Sequence, residues 1–139
     1  MAGRAWWIDQ GHGGSDQGAS TRKWWRAWLP FPRRPKIIEK DFVRGVGGKL
    51  ADRITGDGDN AYVTRYFDES VSLAERVRQF NLRRSDVVLS LHANASGSWT
   101  TPIGGLGQGF EVWYDGLDET GESQRLAEFI VREFHEDFA

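Results

Sequence analysis

The sequence contains no cysteine. That excludes disulfides, thiol nucleophiles and every metal site built on thiolates, and leaves the compartment open. Net charge is nearly absent too, a formal −2 over 139 residues, so no whole-molecule field points to nucleic acid. No apolar run approaches the roughly 20 residues needed to cross a bilayer, and the N-terminus lacks the apolar core of a signal peptide. The expectation is a soluble chain with neither membrane nor nucleic acid among its partners. No internal repeat is visible. The length suits one domain around one hydrophobic core.

The charges that exist are unevenly placed. Residues 21–36 carry six basic side chains (Arg22, Lys23, Arg26, Arg33, Arg34, Lys36) and no acid, whereas residues 115–139 carry eight acids against two arginines. Runs of this kind are ordinarily solvated faces. The pattern of apolar residues alternates between strand and helix. Residues 5–9 form a short apolar run stopped by GHGG, which predicts a strand. Val43, Val46, Leu50 and Ile54 recur at helical spacing within residues 37–55. Gly45, Gly47 and Gly48 each cost about 1 kcal/mol in a helix interior; burial must offset that, or the glycines admit a close neighbour.

Residues 61–66 predict a second strand. Ser72 and Glu75 have the spacing of a capping box, and Leu73, Val77 and Phe80 continue one apolar face of a helix to about residue 84. Residues 87–91 are almost wholly apolar, as a central parallel strand is. Residues 96–109 read as loop, 110–114 as a fourth strand, and Leu126, Phe129, Ile130, Phe134 and Phe138 as the face of a last helix. The order β-α-β-α-β-β-α implies an α/β fold: a mainly parallel twisted sheet with helices on both faces, three layers, in a single domain.

That topology brings distant residues together. In right-handed βαβ units the C-terminal ends of the strands and the N-termini of the following helices share one edge of the sheet, where ligands bind. His12 follows the first strand, Glu39 lies in the first turn of the first helix, and His92 ends the third strand. Arg65, at the end of the second, joins the same rim. Only three histidines exist, and the third, His135, lies in the last helix. Singly, each histidine reads as a hydrogen-bonded strand end and Glu39 as a first-turn carboxylate favoured by the helix dipole. Jointly, two histidines and a glutamate form the ligand set of a catalytic zinc with an open position. Asp9 and Asp16 lie near, and Asp9 reads as a support that fixes a histidine tautomer or the loop. GHGGSDQG lacks the lysine and Ser/Thr of a phosphate-binding P-loop.

Through IDQGHGGSDQGA, IIEKD, VTR with a following aspartate, SLAERV, the asparagine of QFN, DVVLSLHANAS, GFEVWY and QRLAEF, the chain resembles the zinc-dependent N-acetylmuramoyl-L-alanine amidases of the Amidase_3 type. The pieces occur in family order over nearly the whole chain. The resemblance implies a Zn²⁺ enzyme of the cell envelope, periplasmic or secreted. It would hydrolyse the amide between N-acetylmuramic acid and L-alanine in peptidoglycan, with His12, Glu39 and His92 as ligands. Substrate contacts are expected from Arg65, Asn94, Trp99 and Trp28.

There are departures. Gln10 replaces the proline usual before GHGG, and residues 21–35 (TRKWWRAWLPFPRRP) read as an aromatic and basic insertion or lid. Family members continue to a further strand carrying a catalytic glutamate in a motif like Glu-x-Gly-Phe. Glu111 in GFEVWY and Glu128, Glu133 and Glu136 on the last helix do not match it. The expectation is a domain, residues 1–139, shortened at its C-terminus. Its catalytic base would lie beyond Ala139, with Glu111 as the fallback, and its open sheet edge would favour an edge-strand homodimer. Two other readings stay open: a non-catalytic zinc-containing cell-wall binding module, and a zinc peptidase on a related fold.

Overall fold

The structure is a computed structural model, and it describes residues 3–20, 37–93 and 111–138. The chain divides into two compact units, Met1–Ala95 and Ser96–Ala139.

The first unit is built on a three-stranded parallel sheet: β1 (Ala5–Gln10), β2 (Asn60–Val63) and β3 (Val87–Leu91), in the order β2-β1-β3. Two helices connect them, α1 (Glu39–Gly56) and α2 (Leu73–Leu82). The class expected from sequence is the one observed, but the central strand differs. β1 lies in the middle, with Trp7, Ile8 and Gln10 buried, while β3 pairs on one side and is only half-buried.

Successive side chains of β1 point to opposite faces. Ile8 and Gln10 face α1, where Gly47 packs so closely that an added Cβ would stand 2.7 Å from Gln10 Cγ. Asp9 faces the other way and meets Arg76 of α2. The helices therefore address opposite faces of the sheet.

The faces buried by those helices differ from the sequence pattern. In α1 the buried residues are Glu39, Val43 and Gly47, at i, i+4 spacing, while Val46 is exposed. In α2, Leu73 and Val77 are exposed and the buried residue is Arg76. The helix nevertheless begins where the capping box places it. The Ser72 hydroxyl accepts from the Glu75 N–H at 3.2 Å.

Described by itself, the second unit contains α3 (Glu122–Phe138). Asp118 caps its approach, accepting from the N–H groups of Thr120 and Ser123. The fourth strand predicted at 110–114 is not formed at 111–114, and Phe110 lies outside the described residues. Trp113 in this stretch is 88 % exposed.

Candidate metal centre

The order β2-β1-β3 means that the chain steps one way from β1 to β2 and reverses to reach β3. The loops leaving β1 and β3 diverge at that reversal and open a crevice at the strands' C-terminal ends. His12 sits on the first of these loops and His92 directly follows β3. Glu39 is the first residue of α1. Its place is secured at the point where the chain returns from residues 21–36: Ser20 and Ile38 form an antiparallel bridge, and the Glu39 N–H donates to Ala19 O at 2.8 Å.

The three side chains meet. Glu39 Oε1 stands 3.2 Å from His12 Nε2 and 3.2 Å from His92 Nδ1. One donor atom from each residue lies within 4.8 Å of the others. The two imidazole rings are edge-to-face, centroids 5.0 Å apart. Glu39 is 4 % exposed. Burial by itself would raise its pKa, but N–H donation from Ala19 (2.6 Å) and Ala93 (2.7 Å) and the nearby imidazoles outweigh this and hold the carboxyl below its usual value. It is thus a carboxylate at neutral pH, ready to face a cation.

Glycines make the approach close enough. A Cβ on Gly11 would lie 2.4 Å from His92 Cε1. Gly18, at φ +62°, would place one 2.5 Å from His12 Cδ2 and 2.6 Å from Glu39 Oε2. His12 itself has φ +61°, a left-handed conformation that costs a non-glycine residue of order 1–3 kcal/mol and persists only where neighbours enforce it. Its ring is oriented by Asp16, whose Oδ2 lies 2.8 Å from Nδ1. The hydrogen bonds from His12 and from the Gly18 N–H lower the Asp16 pKa. An ionised carboxylate only accepts, so Asp16 takes its hydrogen bond from Nδ1 and leaves Nε2 turned towards Glu39.

Of the two aspartates singled out from sequence, Asp16 therefore contacts the histidine and Asp9 does not. Asp9 holds the loop, accepting from Thr64 Oγ1 (2.7 Å), Ser90 Oγ (2.9 Å) and Arg76. Arg65 also differs from its expected place as a substrate contact on the rim. It is 1 % exposed, and one terminal nitrogen donates to Gly11 O at 3.2 Å and Lys40 O at 2.7 Å, joining the histidine loop to the start of α1. Gln10, in the proline position, is buried as well. It donates to Arg44 O and accepts from the Arg65 N–H, contacts that a proline cannot make.

Three supports had no signal of their own in the sequence. Lys40 donates to Gly14 O (2.8 Å) and Asp68 (2.6 Å), while Asp68 accepts from the Gly14 N–H. Arg76 donates to the carbonyls of Gln10 and His12. The quoted motifs contain Lys40, Asp68 and Arg76, yet spacing alone does not say what they grip. Asn94, Trp99, Trp28 and the segment 21–35 lie outside the described residues. Glu111 belongs to the second unit, where its carboxylate accepts from Trp113 Nε1 at 3.3 Å.

A cleft of about 350 Å³ opens onto the centre, with His12, His92, Asp16, Ser70, Leu73 and Arg76 among its lining. The fold and site define an α/β protein with a candidate two-histidine, one-glutamate metal centre at the switch point of its sheet. The family profile described as N-acetylmuramoyl-L-alanine amidase matches residues 7–139, and the chain belongs to that family.

Among its relatives is the N-acetylmuramoyl-L-alanine amidase LytC of Bacillus subtilis, 29 % identical over 94 % of this chain and 22 % of that protein. The endolysin of Bacillus phage SPP1 is 30 % identical over 86 % of this chain and 38 % of its own length. The crystal structure of N-acetylmuramoyl-L-alanine amidase from Clostridium difficile 630 superposes with a TM-score of 0.72 at 29 % identity, covering 94 % of this chain and 61 % of that one. The chain thus spans less than two thirds of the length of these relatives.

Proposed function

We propose that this protein is a zinc-dependent peptidoglycan hydrolase that cleaves the amide between N-acetylmuramic acid and the L-alanine of the stem peptide. The observation that carries the reading is the meeting of His12 Nε2, Glu39 Oε1 and His92 Nδ1 at the mouth of one cleft, in a chain of the amidase family.

The donor set fits a divalent ion. Two imidazoles and one ionised carboxylate are the ligands of a catalytic zinc that keeps a position free. His12, Glu39 and His92 would hold it. When bound, zinc supplies a Lewis acid that polarises the scissile carbonyl and acidifies water towards pKa ~7.

The chain's own residues do the rest. Asp16 orients the His12 ring, the Ala19 and Ala93 N–H groups keep Glu39 ionised and in place, and the cleft admits the muramyl peptide beside them. Among the described residues no helix is long and apolar enough to cross a membrane, and action on peptidoglycan would place the protein at the cell envelope.

The test is release of L-alanine-terminated stem peptide from purified peptidoglycan, with zinc content measured on the same sample. Turnover abolished by Glu39→Gln supports the reading. Binding to peptidoglycan without release indicates a non-catalytic module, and turnover of a plain peptide in preference to the muramyl linkage indicates a peptidase.

A further inference from the structure

Arg76 takes no part in that chemistry, yet its guanidinium is occupied on every side. It lies one turn into α2, 6 % exposed. Nε donates to Val71 O at 3.0 Å, one terminal nitrogen to the Asp9 carboxylate and to Gln10 O (2.7 Å), and the other to His12 O (2.7 Å). These acceptors lie where the chain leaves β1 and turns into the left-handed conformation of His12. Asp9 is itself tied to Thr64 after β2 and to Ser90 on β3, so the guanidinium is referenced to the whole sheet.

We propose that Arg76 is a positioning residue. It holds the His12 backbone at its positive φ, aims the imidazole at Glu39 and His92, and thereby sets the metal affinity of the centre. The proposal rests on reading these three residues as metal ligands. A planar fork with several fixed donors is needed to reach a carboxylate and three carbonyls at once; a lysine ammonium carries comparable charge but lacks that geometry. Loss of the clamp lets His12 relax towards ordinary φ and swing its ring away.

The experiment compares wild type, Arg76→Lys and Arg76→Met, with Arg78→Met as control. Arg78 is on the same helix but exposed and paired with Glu75. Zn²⁺ affinity is measured by competition with a chelator, and ligand geometry by the visible spectrum of the Co²⁺-loaded protein. Amide exchange at Gly13, whose N–H donates to Asp16 O at 2.9 Å, is measured without metal.

Arg76→Lys should lose about 10–100-fold in Zn²⁺ affinity, the range typical of groups that orient a ligand. It should alter the Co²⁺ spectrum and speed Gly13 exchange at least tenfold, while Arg78→Met does none of these. A role in stability alone would lower the melting temperature and leave the Co²⁺ spectrum unmoved. If Arg76→Met does not fold, Arg76→Lys decides. Unchanged Gly13 exchange or an unchanged Co²⁺ spectrum in folded Arg76→Lys overturns the clamp. Absence of metal binding by wild type overturns the ligand assignment instead, and the exchange measurement still decides whether Arg76 holds the loop.

Discussion

The Asp16 carboxylate lies 2.8 Å from Nδ1 of His12, on the side of the ring opposite the nitrogen that faces Glu39. An exposed loop residue four positions away thus orients the imidazole. Asp16→Asn should therefore weaken Zn²⁺ binding by about 10–100-fold and shift the melting temperature little, because the side chain is exposed. Chelator competition beside a thermal melt checks both halves of this expectation.

The ligands themselves should matter more. His12→Ala, Glu39→Ala and His92→Ala each remove a donor, so each should reduce Zn²⁺ affinity by more than the roughly 100-fold upper range for an orienting group. Glu39→Ala should also destabilise the fold, since it leaves the Ala19 and Ala93 N–H groups without their acceptor. Metal content after dialysis and urea unfolding of the metal-free proteins separate the two effects. Stoichiometric zinc retained by any of the three would remove that residue from the ligand set.

Three interior glycines of α1 are expected to behave in opposite ways. A Cβ at Gly45 or Gly48 meets nothing within 4 Å, whereas at Gly47 it would crowd Gln10 and Ile8. Gly45→Ala and Gly48→Ala should each raise stability by about 0.5–1 kcal/mol. Gly47→Ala should lower it by about 1–3 kcal/mol through overpacking. Chemical unfolding of the three variants measures the contrast.

A pH dependence follows from Asp9. Burial pushes its pKa up, but hydrogen bonds from Thr64, Arg76 and Ser90, with the Arg76 charge, prevail and hold it below its ordinary 3.8. Its stabilising contribution is therefore complete above 3.8 and is lost as pH falls through the lower native value. Asp9→Asn, which leaves the buried Arg76 charge uncompensated, should cost roughly 3 kcal/mol at pH 7. The gap between wild type and variant should narrow as pH drops below 3.8. Urea unfolding from pH 7 to pH 2.5 checks it, and a gap that widens in acid would contradict the assignment.

Much of this was legible in the chain before any coordinates. The end of β1 at GHGG, the Ser72 cap, β3 at Val87–Leu91 and the convergence of His12, Glu39 and His92 all follow from local signals or from the handedness of parallel connections. Those rules depend on neighbouring residues or on topology, and a sequence displays both. Tertiary structure alone decided what the charged side chains do. Arg65 and Arg76 are buried: the Gly11 and Lys40 carbonyls accept from one terminal nitrogen of Arg65, and the Gln10 and His12 carbonyls accept from Arg76. A guanidinium enters the interior only where several acceptors converge on it. These acceptors come from segments far apart in the chain, and folding alone brings them together.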